Sequence, residues 1–170
     1  MAKLSGLIIN KMISYFNNDV KRINHALKVY SFSKSIGELE GLDEKQMLIL
    51  EISSILHDIG IKQSEKKYNS TAGKYQELEG PPIAKELLKD IKLEKDILDR
   101  ICFLIGHHHS YNRIDKIDLQ ILVEGDFLVN AYEDKLNYDQ IKTVKDKYFK
   151  TKTGKYFLDT IYKNSINKKG

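Results

Sequence analysis

In almost every periodic segment of this chain the apolar residues recur at helical rather than alternating spacing, and the turn residues fall between those segments. The chain therefore reads as all-α. A first helix is expected over roughly 6 to 17, with Asn17-Asn18-Asp19 as a turn and cap. A second runs to about Glu40, with His25, Val29, Phe32, Ile36 and Leu39 as one stripe, and Gly41 ends it. Asp43 caps a third, which extends to Gly60 and is apolar enough to be the central helix. Residues 62 to 78 are polar without a clear period and read as a long loop, the kind of segment that forms a lid or a site wall. Pro81-Pro82 suits the first turn of a fourth helix that ends near Asp90. Further helices are expected over roughly 93 to 109, 117 to 134 and 138 to 149. A last one opens at Thr153-Gly154 on Tyr156, Phe157, Leu158, Ile161 and Tyr162, and the polar tail from Asn164 is expected to fray.

At 170 residues with 41% apolar content, one domain is expected over 1–170, with its motif-bearing core at about 16–134 and the helices of 138–165 packing on it. Lys and Arg number 28 against 24 Asp and Glu, interleaved along the chain. That balance gives ordinary solubility and only a mild bias toward anionic ligands, so no specific nucleic-acid binding is expected. No segment approaches the ~18 uninterrupted apolar residues that span a bilayer. The patch Leu7-Ile8-Ile9 is broken by Asn10 and Lys11, with no cleavage site after it. Cys102, the single cysteine, lies among Ile101, Phe103 and Leu104 and reads as a buried, inert thiol, which points to a reducing, cytoplasmic compartment. There is no glycine-rich phosphate loop, dinucleotide fingerprint or CxxC pair.

Polar residues interrupt the apolar faces in a pattern. His57-Asp58 stands where the apolar third helix runs out, and His25 heads the stripe of the second. Asp126 follows Leu122 by four and precedes Val129 by three, which places a carboxylate on the apolar face of the sixth helix. A buried, ionised carboxylate costs several kcal/mol unless it is paired or bound to a metal. In the fifth helix Ile97, Ile101 and Leu104 lead to His108, while Leu98, Ile101 and Ile105 lead to His109. His107 falls off that face, and Gly106 is a place where the helix can break before the run. Each residue alone has an ordinary structural reading. Four helices that each aim His or Asp inward suggest metal ligation.

The order His25, His57-Asp58, a later His cluster and Asp126 resembles the HD superfamily of metal-dependent phosphohydrolases. Arg22-Ile23-Asn24-His25 is similar to its first motif, Leu56-His57-Asp58-Ile59-Gly60 to its namesake motif, and Glu124-Gly125-Asp126-Phe127-Leu128 to its last. The resemblance covers about Phe16 to Tyr132. It implies a helical HD bundle in which His25, His57, Asp58 and Asp126 hold one divalent metal ion. A second ion would add His108 and His109, with Asp58 bridging. The family's middle His is replaced, since Glu79 stands at that place in Leu78-Glu79-Gly80-Pro81. Glutamate there is a ligand for Mn, Fe or Mg, an orienter of a His, a base, or a helix cap. Fe, Mn, Co, Mg, Ni and Zn are not distinguished.

Such a site acidifies bound water and polarises a phosphoryl oxygen, so hydrolysis of a phosphate ester or anhydride is the reaction class implied. Asp58 would bridge or orient the water. Arg22, one turn before His25, and Lys62, just past the His-Asp pair, are candidates for phosphate contact, each with a surface-charge alternative. Tyr68 and Tyr75 are candidates for stacking on a base. The expected substrate is a small nucleotide or related phosphorylated metabolite. The competing reading is a non-catalytic metal-bound module that binds a nucleotide or a partner protein. Tyr156 and Phe157 leave a homodimer open.

Overall fold

The segment Glu44–Leu56 is apolar around nearly its whole circumference, as a helix enclosed by others must be. In the computed structural model, which describes residues 2–163 with side chains from Leu4, it is helix α3 and is buried on almost every side. Asp43 starts it with a capping box: its carboxylate accepts from the Gln46 backbone N–H, and the Gln46 side chain accepts from that of Asp43. Helices α2 (Val20–Leu39), α6 (Lys95–Ile105) and α7 (Ile117–Glu133) pack against it, and α2 also lies along α7. Helix α1 (Ala2–Phe16) covers α2 and α3. Helices α4 (Ile61–Tyr68) and α5 (Gly73–Leu88) pack on each other, with α5 against α6, while α8 (Tyr138–Tyr148) and α9 (Lys152–Ile161) lie on α7. The buried apolar side chains join in one cluster from Ile8 to Leu158. No strand occurs among the described residues, and none of their helices is long and apolar enough to cross a membrane.

Several expectations are corrected. Residues 62 to 78 are not a loop: α4 and the first turns of α5 occupy them, joined only through residues 69–72. Helix α4 buries Ser64 instead of an apolar side chain, so its contact with α5 leaves no apolar stripe to read. Pro81 and Pro82 sit inside α5, not in its first turn, and leave the carbonyls of Glu77 and Leu78 without i+4 donors. The helix expected over 93–109 stops at Ile105 with Gly106 as its cap, so His107, His108 and His109 lie in a turn. Likewise α3 ends at Leu56, and His57 and Asp58 occupy the turn that follows. Along α2, His25, Val29 and Ile36 are buried but Leu39 is 68% exposed, because in the last turn it stands about 80° from Val29 and about 60° from Ile36 round the helix. The tail from Asn164 lies outside the described residues.

Gly60 lets α5 come against the His57-Asp58 turn. A Cβ there would stand 2.5 Å from the Gln76 carbonyl oxygen and 2.6 Å from the Gly80 nitrogen, and neither backbone atom can rotate away. Gly60→Ala is expected to push α5 off the turn and destabilise the fold by about 1–3 kcal/mol, read as a lower denaturation midpoint.

Candidate metal centre

Three imidazoles from three elements converge on two carboxylates. His25 comes from α2, His57 and Asp58 from the turn after α3, His108 from the turn after α6 and Asp126 from α7. The Nε2 of His25 lies 3.2 Å from that of His57 and 3.2 Å from Asp126 Oδ1. Both His25 and His57 place Nε2 3.5 Å from Asp58 Oδ2, while the His108 Nε2 is 3.3 Å from the other oxygen, Oδ1. The opposite ring nitrogens are all engaged. His57 Nδ1 donates to the Ser54 carbonyl at 2.8 Å, His108 Nδ1 to the Ile105 carbonyl at 2.9 Å, and His25 Nδ1 to Glu133 Oε2 at 2.9 Å. Those oxygens can only accept, so each Nδ1 keeps its proton and Nε2 is the nitrogen that either takes a second proton or offers its lone pair to the cluster. Among the described residues two sets are close enough to hold a metal ion: His25, His57 and Asp58, and Asp58, His108 and His109. Asp58 belongs to both.

The electrostatics fit a cation. Burial resists charge on Asp58, yet His57 and His108 hold its carboxyl well below the usual range; for Asp126 burial is likewise opposed, chiefly by His25. Burial disfavours a charged His25, but the hydrogen bond and field of Asp126, with Asp58, raise its pKa to about 9. Desolvation lowers His57, and it takes His109 down to about 4 with the help of nearby His108. A cluster of this composition takes up positive charge either as protons on His25 or as a metal ion. The N and O donors match borderline and hard divalent cations. They line, in part, a cavity of about 510 Å³ whose wall carries six carboxylates, Asp19, Asp58, Glu65, Asp126, Glu133 and Asp134, against Lys21, Arg22 and the imidazoles of His25 and His109.

The other candidates fall in different places. Arg22 lines the cavity, steadied by Asp19 at 3.0 Å and Glu65 at 2.5 Å. Lys62 is exposed, donates to the Tyr15 carbonyl at 3.2 Å and lies over the Tyr15 ring, so it points toward α1 and does not line the cavity. Glu79 is also outside the cluster: it accepts from Lys67 at 2.9 Å and from the Tyr68 hydroxyl at 2.8 Å. On α5 it lies on the side that meets α4, which makes it a tie between those helices. Tyr68 and Tyr75 stack on each other with ring centroids 4.2 Å apart. His107 stacks on Phe103 and donates to its carbonyl, away from both metal-competent sets. Cys102 is buried, which raises its thiol pKa.

The family model for the HD domain matches residues 22–149. The chain belongs to the HD-domain family. No curated protein matches it. Among solved structures, a predicted HD superfamily hydrolase from an uncultured Thermotogales bacterium superposes with a TM-score of 0.68 at 20% identity, over 94% of this chain and 85% of that one. At that identity the likeness shows a shared helical fold.

In this HD-domain protein the sequence alone did not point to the residues that orient His25 and Asp126. Glu133 holds His25 and is itself held by Lys28 at 2.6 Å, and the Asn130 amide donates to Asp126 Oδ1 at 2.9 Å. A signal was available: Asn130 and Glu133 follow Asp126 by four and seven on one face of α7. Gln76 and Glu77 of α5 had none, because their segment was read as a loop. Glu133→Ala is expected to weaken metal binding about 10- to 100-fold while Glu133→Gln, which keeps an acceptor, restores much of it. Calorimetric titration of the metal-free variants, with matching circular dichroism spectra, checks the outcome.

Proposed function

We propose that this chain is a metal-dependent phosphohydrolase that cleaves a phosphate ester or anhydride of a small nucleotide or related phosphorylated metabolite. The observation that carries the reading is the convergence of the Nε2 atoms of His25, His57 and His108 on Asp58 and Asp126, beside a cavity that also holds Arg22. His25, His57, Asp58 and Asp126 would hold the first cation, and a divalent ion there supplies Lewis acidity toward water and a phosphoryl oxygen. The carboxylate excess of the wall repels a phosphate until cations offset it, so binding of an anionic substrate follows metal loading. Arg22, fixed by Asp19 and Glu65, is preorganised to receive phosphate oxygens. Asp58 and Asp126, ionised at neutral pH, orient the attacking water by accepting its hydrogens. A cavity of about 510 Å³ suits a small metabolite.

The test is metal analysis of protein purified without chelator, then phosphate release from nucleoside mono- and polyphosphates and dinucleoside polyphosphates with Mn, Fe, Co or Mg added. Release that stops with chelator and returns with metal is expected. Bound metal without release from any substrate would favour a non-catalytic binding module, and no bound metal would sink both readings.

A further inference from the structure

We infer that the side-chain carboxamide oxygen of Gln76 is a ligand for a second cation beside Asp58, together with His108 and His109. The inference rests on the metal-dependent reading above and adds to it a residue and a metal preference. Four buried side-chain polar atoms among the described residues have no hydrogen-bond partner: the hydroxyls of Ser33 and Ser53, Gln76 Oε1 and His109 Nε2. The last two belong to residues that line the same cavity as Asp58. An unpaired buried polar atom costs about 1–3 kcal/mol; Gln76 Oε1 can only accept, and a neutral His109 can turn the lone pair of Nε2 the same way, so one cation would satisfy both.

The orientation of the amide follows from its neighbour. Gln76 Nε2 donates to the Thr71 carbonyl at 2.6 Å, and a carbonyl cannot donate, so the nitrogen is fixed there and the oxygen is left facing elsewhere, unpaired. Gln76 is only 6% exposed, which makes this a built position and no surface accident. Helix α5 also sets His109. The carboxylate of Glu77 accepts from the His109 backbone N–H and the Ser110 hydroxyl, both at 3.0 Å, and Gly73 lies so close under the imidazole that a Cβ would stand 2.7 Å from its Cγ. One helix thus carries Gln76 and holds His109 in place. Asp58 divides its oxygens in the matching way, Oδ2 toward His25 and His57 and Oδ1 toward His108. His108 has its Nδ1 committed to the Ile105 carbonyl, so the lone pair of its Nε2, 3.3 Å from Asp58 Oδ1, is the one available to a cation. Two imidazoles, a carboxylate and an amide oxygen form a harder set than imidazoles alone, which favours Mn or Fe(II) over Zn at this position.

The test titrates Mn(II) into the metal-free full-length chain, followed by calorimetry and by electron paramagnetic resonance. The wild type is expected to bind two ions. Gln76→Met, similar in length but without the oxygen, should lose the second ion and keep the first, whereas Gln76→Glu should bind the second about tenfold tighter or more. A wild type that takes one ion only, or a second ion whose affinity ignores both substitutions, overturns the inference and leaves the proposed function standing; a water on Gln76 would give that result. No ion at all overturns both. Should Gln76→Met fail to fold by circular dichroism, Gln76→Glu decides: an unchanged second affinity overturns the assignment.

Discussion

Asp58→Asn is expected to lower metal-dependent phosphate release by about three orders of magnitude, roughly 4 kcal/mol of transition-state stabilisation, and to strip metal from the chain. Asp58 is the residue common to both metal-competent sets, and each of its oxygens faces different imidazoles. An asparagine removes the charge that balances a dication and turns one oxygen into an N–H₂ group, which repels a cation. His25, His57 and His108 would keep their Nδ1 hydrogen bonds, so the fold survives while the cation site does not. Elemental analysis and melting temperature measured on the same sample separate the two effects. A variant that keeps its metal and its rate would sink the role given to Asp58.

The second large effect concerns stability. Glu124 on α7 is fully buried and accepts from the backbone N–H groups of Lys150 and Thr151 at 2.6 and 2.9 Å, from the Gln120 amide at 2.7 Å and from the Thr151 hydroxyl. One carboxylate thereby joins α7 to the link between α8 and α9. Glu124→Ala leaves the buried Thr151 N–H and hydroxyl, and the half-buried Lys150 N–H, without their acceptor and opens a cavity, at a cost of about 3–5 kcal/mol. For a chain of this size that is a fall in Tm of about 10 °C, read by calorimetry. Glu124 touches none of the cluster, so metal bound per folded chain at low temperature should be unchanged.

The legible parts of this protein share a physical origin. Asp19 and Asp43 announce helix starts because a short polar side chain satisfies the free N–H groups of the first turn, and both do so here. His25 and Asp126 were visible as inward residues because each lies in register with buried Val29 or Leu122 on its own helix. By contrast, α4 was hidden because Ser64 is its buried contact, and the start of α5 was displaced because prolines that suit a first turn also survive within a helix whose neighbours tolerate two missing bonds. Losing those two elements also hid Gln76 and Glu77 and left Glu79 as the candidate from that part of the chain.

Sequence alone determined an all-α chain in which His25 and Asp126 point inward, because within a helix the period sets the direction of each side chain without reference to any other element. Only the tertiary structure decided which atoms meet: His25 with Glu133, the two oxygens of Asp58 with different imidazoles, Lys62 with Tyr15 and Glu79 with Lys67. Those pairings depend on the distances and crossings among α2, α3, α5 and α7, and these follow from how whole faces pack, which no single segment encodes.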